Sequence, residues 1–340
     1  MNLKQLSDIL GISQTTISRA LNGYPEVNKD TKRRVEEAAK KYGYAPSSIA
    51  RRLAGKKVEA VGVIYPFDRS LRSSPVFLEM VRMLTTRLRE EKIDLFIIPG
   101  SAEEEIELYD RMVTGGRVDS FVVVATKRDD PRIRWLLDRK IPFVAHGRSQ
   151  VEGEYSWYDV DNRGGMKKAA DTLISMGHRK LALINPGDEF NFAFDRKMGL
   201  LESIEEHGDK VDQPLILEGV LDEDAGRDLA FKALSGPEDS RPTAFLCSSM
   251  LNAMGVAAAI EDKGLEVGRD VSVIAWDDGV SDISAPEMSV IDAPIGQSGE
   301  RMGELMLNLL RKDEKEVYNE LQEAKVILKK SVGPLETVNA

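Results

Sequence analysis

From residue 59 onward, short apolar runs rich in β-branched residues alternate with long amphipathic segments, and this alternation constrains the chain more than any other feature. It predicts strands near 59–65 (EAVGVIY), 93–98 (IDLFII), 119–125 (DSFVVVA), 141–145 (IPFVA), 180–184 (KLALI), 243–247 (TAFLC) and 271–275 (VSVIA). Helices are predicted between them, near 76–91, 103–114, 131–139, 163–176, 194–207, 224–235, 251–263 and 295–311. Alternating β and α segments build parallel sheets covered by helices. Seven strands, with further candidates near 214–218 and 325–330, are too many for one ordinary doubly wound sheet, so two α/β lobes are expected. Such a pair sets the carboxyl ends of both strand sets around a shared cleft, where ligands bind.

The first 54 residues have a different texture. Apolar residues at helical spacing mark three short helices: Leu3, Leu6, Ile9 and Leu10; then Ile17, Ala20 and Leu21; then Val35, Ala38 and Ala39. Each has a start signal, in Asn2 with Gln5 three residues on, in Ser13 and in Asn28. Gly11 suits the corner between the first two. On a helix beginning after Ser13, steps of about 100° put Gln14, Thr15, Ser18 and Arg19 on one side and Thr16, Ile17 and Ala20 on the other. The polar side has the chemistry to enter a major groove: Arg19 to bond guanine, Gln14 to bond adenine or phosphate, Thr15 and Ser18 to reach base edges. An ordinary helical corner with a solvated polar face shows the same spacing. Further on, Pro46 and Gly55 bracket a helix of about eight residues in which Ile49 and Leu53 share a face beside Arg51 and Arg52. A helix that short needs a partner helix, DNA or both to be ordered.

Charge separates the same two regions. Residues 1–57 carry 12 Lys and Arg against 5 Asp and Glu, whereas the other 283 carry 35 against 52. A basic module on an acidic body is what contact with phosphates requires, although a solvated basic face looks alike. The 42% apolar content excludes wholesale disorder. The start, MNLKQLSDIL, lacks an apolar leader core and no run approaches a membrane span, so a cytoplasmic, membrane-free location is expected. Cys247 stands alone and the histidines number three (His146, His178, His207), so neither a disulfide nor a structural zinc is expected, and no cofactor. The sequence contains no phosphate loop, dinucleotide fingerprint or nucleophile elbow, which argues against a sugar-active enzyme.

The run LKQLSDILGISQTTISRALNGYPEVNKDTKRRVEEAAKKYGYAPSSIARRLAG resembles the DNA-binding headpiece and hinge helix of the lactose-repressor (LacI/GalR) family of bacterial transcription regulators, and the likeness continues over nearly the whole chain. It implies an all-α helix-turn-helix headpiece (1–45), a hinge helix and linker (46–57) and a two-lobed core of the type I periplasmic-binding-protein fold (58–340). The first lobe is expected over about 58–160 and 292–318, the second over about 161–291 and 319–340. By resemblance Ser13, Gln14, Thr15, Ser18 and Arg19 belong to the recognition helix, Asn22, Val27, Asn28 and Thr31 to phosphate or backbone contacts, and Tyr44, Ser47, Ala50 and Leu53 to contacts in and beside the hinge, with Leu53 as a minor-groove lever.

Three more stretches, DNRGGMKKAADTLISMGHRKLALI (161–184), DRKMGLLESI (195–204) and DVSVIAWDD (270–278), resemble the family's ligand-binding core. They make Arg196 the holder of effector oxygens and Trp276 and Asp277 cleft-lining residues, with Phe67, Asp68, His146, Arg148 and Asp161 as strand-end candidates. Each has a plainer alternative: a surface ion pair for Arg196, a core aromatic for Trp276, a loop or capping carboxylate for Asp277, a satisfied core imidazole for His146. Met250 and Leu221 depart from an acidic and an aromatic residue common in relatives, and PFVAHGR (142–148) resembles regulators of sugar and glycoside use. The expected function is a homodimeric, operator-binding repressor of carbohydrate genes, modulated by a small sugar, with a glucoside as the candidate. A sugar-binding protein without operator activity is the alternative.

Overall fold

The computed structural model describes residues 1–21, 24–44, 60–66, 75–101, 103–277, 285, 287–293, 295–311 and 316–335. The proposed hinge helix lies outside them, as do Asn22, Ser47, Ala50, Leu53, Phe67 and Asp68. The chain divides into an N-terminal unit and a larger α/β unit.

In the N-terminal unit, α1 (Leu3–Leu10), α2 (Gln14–Leu21) and α3 (Lys29–Tyr42) follow the predicted order. Asn2 and Gln5 form a reciprocal capping box, each side chain accepting the other's backbone N–H at 2.9 Å. Gly11, at φ +64°, makes the left-handed turn after α1, and the Ser7 hydroxyl donates to the Ile12 carbonyl beyond it at 2.6 Å. Leu6, Ile17, Ala20 and Val35 are wholly buried, and Leu3, Leu10, Ile12, Leu21, Val27 and Tyr44 pack around them. Ile9, one of the apolar residues that mark the first helix, is half exposed. The buried stripe of α1 runs through Leu3, Leu6 and Leu10, and Ile9 points about 100° away from it.

The α/β unit contains two six-stranded sheets. The first uses β1 (Ala60–Pro66), β2 (Asp94–Gly100), β3 (Ser120–Val123), β4 (Phe143–His146), β5 (Ser156–Val160) and β11 (Asn319–Gln322), with α4 (Pro75–Glu90), α5 (Glu105–Thr114), α6 (Pro131–Asp138) and α11 (Ile295–Arg311). The second uses β6 (Leu181–Asn185), β7 (Leu215–Glu218), β8 (Ala244–Cys247), β9 (Ser272–Trp276), β10 (Ser289–Asp292) and β12 (Lys325–Ile327), with α7 (Asn162–Ser175), α8 (Asn191–His207), α9 (Glu223–Leu234) and α10 (Met250–Asp262). Strand orders are β11-β5-β4-β3-β1-β2 and β12-β10-β9-β8-β6-β7, parallel throughout except for β10 with β12.

The chain passes between the sheets after Val160, after Asp292 and after Gln322. The last passage corrects the predicted lobe boundary at 318/319. Asn319–Gln322 pairs in register with Trp157–Val160 and so belongs to the first sheet. Two passages meet where the Asp161 N–H donates to the Gln322 carbonyl at 2.8 Å. On the second sheet α8 lies against α7 at Gly199, where a Cβ would sit 2.1 Å from the Arg163 carbonyl oxygen.

His178 ties the end of this lobe together. It is almost fully buried, with Nδ1 3.0 Å from the Thr243 hydroxyl and Nε2 3.1 Å from the Gly333 carbonyl. Burial holds its imidazole below the ordinary histidine range. The folded state therefore binds this proton less readily than the unfolded chain, and His178 stabilises fully above about pH 6.5 and progressively less below it. Urea titrations at pH 7 and pH 5 should show a smaller stability loss for His178→Gln than for the wild type.

Candidate functional site

The N-terminal unit presents a polar surface on α2. Ile17 and Ala20 fill the core, which leaves Gln14, Thr15 and Arg19 exposed and Ser18 partly so. Ser13 caps the helix, its hydroxyl accepting the Thr16 N–H at 3.1 Å. Asn28 does the same for α3, accepting the Thr31 N–H at 2.7 Å. Arg19 lies 3.9 Å from Glu26, an exposed pair of small energetic worth that leaves the guanidinium accessible. Val27 and Tyr44 pack their side chains into the headpiece core, so they shape this surface from beneath.

In the α/β unit, polar side chains converge where loops from the two lobes meet. Arg148, following β4, donates from Nε to Asp159 of β5 at 2.8 Å and from Nη2 to Asp195 of α8 at 3.1 Å. Asn162, the first residue of α7, donates to the other oxygen of Asp159 at 3.3 Å and accepts from Arg196 Nε at 2.8 Å. Because Asp195 and Arg196 are consecutive, these groups close a ring spanning both lobes. Arg196 also donates to the Ser248 carbonyl at 2.8 Å, and the Ser248 hydroxyl donates to Asn185 at 2.6 Å. Burial pushes the carboxyls of both Asp159 and Asp195 up, against the pull of Arg148.

Backbone contacts reinforce the junction. The Arg128 N–H donates to the Glu189 carbonyl at 2.9 Å, and the Asn191 N–H to the Thr126 carbonyl at 3.0 Å. The loop after β3 is thereby bonded to the loop entering α8.

Of the predicted cleft residues, Arg196 and Arg148 join one network, and Trp276 and Asp277 stand beside it at the end of β9. Trp276 is 2% exposed, with the Arg196 guanidinium 3.7 Å from its ring centroid. Its burial fits the plainer alternative of a core aromatic: its face backs Arg196, a cation–π contact that holds the charge in place. Asp277 is buried, its N–H donating to the Ile291 carbonyl at 3.0 Å. Asp161 caps α7, accepting the Gly164 N–H at 2.9 Å. His146 stacks parallel to Tyr158, and burial drives its imidazole down to about 4, so it is neutral at pH 7.

Residues 3–47 match the family described as bacterial regulatory proteins, lacI family, and residues 170–332 match the periplasmic binding protein-like domain. The HTH-type transcriptional regulator AglR of Rhizobium meliloti (strain 1021) is 36% identical over 340 residues, covering 98% of this chain and 95% of that protein. The chain belongs to the lacI family. RafR of Escherichia coli, also an HTH-type transcriptional regulator, is 34% identical over 296 residues, 87% of this chain and 85% of that one. Among solved structures, the lac repressor dimer bound to operator and the anti-inducer ONPF has the same fold, with a TM-score of 0.82 at 22% identity over 97% of this chain and 98% of that chain. The CelR–cellobiose complex has it too, at TM-score 0.72 and 24% identity over 97% and 99%.

As a lacI-family member the chain is a DNA-binding transcriptional regulator and not an enzyme. Among the described residues no helix is long and apolar enough to cross a membrane. Several residues of the interlobe network in this lacI-family core escaped the sequence reading: Asn162, Asp159, Asp195, Ser248, Asn185 and Arg128. The Arg128 guanidinium lies 3.7 Å from the Phe194 ring centroid, and its buried Nε has no hydrogen-bond partner. Asn162 and Asp195 had a usable signal, since each adjoins a named candidate, Asp161 or Arg196, inside a stretch already singled out.

Proposed function

We propose that this regulator is a cytoplasmic, homodimeric repressor of carbohydrate-utilisation genes whose grip on its operator is set by a neutral saccharide held between the two lobes. The carrying observation is the interlobe ring itself: Arg148 is matched by Asp159 and Asp195, and Arg196 donates to the Asn162 side chain and the Ser248 carbonyl with its guanidinium over Trp276. An anion would meet three carboxylates, counting Asp277, whereas hydroxyls find acceptors and a guanidinium fork of fixed geometry. The solved CelR with cellobiose and the sugar-regulator likeness of PFVAHGR support the same ligand class. On the DNA side, Gln14, Thr15, Ser18 and Arg19 read base edges, and Asn22, Asn28 and Thr31 hold phosphates. Residues 46–57 act as the hinge, with Leu53 at the operator centre. Two copies related by a twofold axis meet two half-sites.

A thermal-shift screen of neutral mono- and disaccharides against their uronate counterparts tests the ligand class, since a ligand at 100 times its Kd stabilises by about 2.7 kcal/mol. Stabilisation by uronates alone would reject it. On the DNA side, Arg19→Ala should weaken operator binding by about 1 to 3 kcal/mol and relax preference at one base pair. Mobility shifts on a panel of single-base operator variants would reveal this, and equal weakening on every sequence would remove Arg19 from base reading. Weak, salt-insensitive binding by the wild type would point to a sugar-binding protein without operator activity.

A further inference from the structure

We infer that Asp195 is a positioning residue: it pins the first turn of α8, and with it Arg196, to the opposite lobe, so that the lobes are held together before any effector arrives. The inference rests on Arg196 being the effector-holding residue.

Asp195 stands one residue before Arg196 and is held from both sides. Arg148, carried by the first lobe, donates to its Oδ2 at 3.1 Å, and Asn191, one helical turn earlier, donates to the same atom at 3.1 Å. Arg148 is itself fixed by Asp159, to which it donates from Nε at 2.8 Å and from its backbone N–H at 3.3 Å. Pulling α8 away from the first lobe therefore requires breaking a charge-assisted bond in a partly buried setting, where such bonds are stronger than in open water. The ring adds a second path through Asn162, so Arg196 is oriented by Asp159 through Asn162 and by Asp195 through the helix backbone.

The neighbouring backbone contacts give a direct view of this tie. Bonds from the Arg128 N–H to the Glu189 carbonyl and from the Asn191 N–H to the Thr126 carbonyl run from one lobe to the other. Their protons are protected only while the lobes are together. Amides inside β3 and β6 belong to single lobes and serve as references.

The test is amide hydrogen exchange, resolved to single residues, on the ligand-free full chain. Asp195→Asn should accelerate exchange at Arg128 and Asn191 about tenfold or more, the loss expected for one charge-assisted bond, and leave Phe121–Val123 and Ala182–Ile184 unchanged. Asp195→Glu, which keeps the charge, should restore much of the protection. Arg148→Lys approaches the same tie from the other lobe: an ammonium keeps a charge beside Asp159 but lacks the fork that spans both carboxylates, so it should reproduce the acceleration at Arg128. Unchanged exchange at Arg128 in both Asp195→Asn and Arg148→Lys would overturn the inference. So would acceleration spread equally through β3 and β6, which would mark Asp195 as a general stabiliser. No saccharide enters the measurement, so a failed sugar screen and a failed exchange test are told apart.

Discussion

Arg196→Ala is expected to abolish the response to effector while operator binding persists. Arg196 is 7% exposed, donating from Nε to Asn162 Oδ1 and from Nη1 to the Ser248 carbonyl, each at 2.8 Å, while its guanidinium lies on Trp276. A methyl group in its place supplies none of the donors that hold vicinal oxygens. Any saccharide that stabilises the wild type should give no thermal shift with the variant, and mobility-shift affinity for the same operator should change by no more than about twofold, because the headpiece has its own core. Losing the cation–π contact lowers the melting temperature of the ligand-free protein as well, at a cost of about 2 kcal/mol. Arg196→Lys separates charge from geometry: an ammonium preserves the charge but cannot donate along two parallel directions, so effector affinity should fall about 10- to 100-fold instead of vanishing. A normal response in Arg196→Ala would place the effector elsewhere.

The second large effect is expected at Arg132, which lies outside the interlobe ring and holds a loop that reaches the second lobe. Arg132 is 1% exposed, donating from Nε and Nη2 to Asp130 at 2.9 and 2.7 Å, to Glu105 at 3.2 Å and to the Ala125 carbonyl at 3.0 Å. Burial pushes the Glu105 carboxyl up, and Arg132 only partly offsets this. For Asp130 burial acts in the same direction, but its bonds to Arg132 prevail and hold it below the usual carboxylate range. Removing the cation leaves two carboxyls buried without their counter-charge. Arg132→Met should therefore destabilise by about 3 to 5 kcal/mol in urea at pH 7, and adding Asp130→Asn should recover part of that loss. Asp130 also accepts the Lys127 N–H at 2.9 Å, so the loop from Ala125 to Asp130 depends on this cluster for its shape. That loop carries Thr126 and Arg128 to the second lobe.

Much of the architecture was legible because parallel strands buried on both faces are continuous apolar runs, as in LALI and AFLC. The strands that escaped were β5, β10 and β11. SWYDV and SVID break their apolar runs with serine and aspartate, and NELQ is a polar edge strand that exists only because β5 offers it a partner. Pairing of that kind spans some 160 residues and leaves no local pattern. The candidate site divides in the same way. Arg196 was visible through its surrounding stretch and the α2 surface through its spacing, whereas Asp159, Asp195 and Ser248 acquire roles only when separate loops converge. Trp276 was singled out through its strand end, but nothing local reveals that an arginine 80 residues earlier covers its ring.

The late strands β11 and β12 bear on how the chain is made. Synthesis runs from the headpiece onward, and the first lobe stays short of its edge strand until residues 319–322 have left the ribosome; three residues later the second lobe receives its own. Neither half can be finished ahead of the other on the nascent polypeptide, so the usual domain-by-domain order of folding during translation is unavailable to this core. The headpiece, closed around its own small set of apolar side chains, is the part that can fold while synthesis continues.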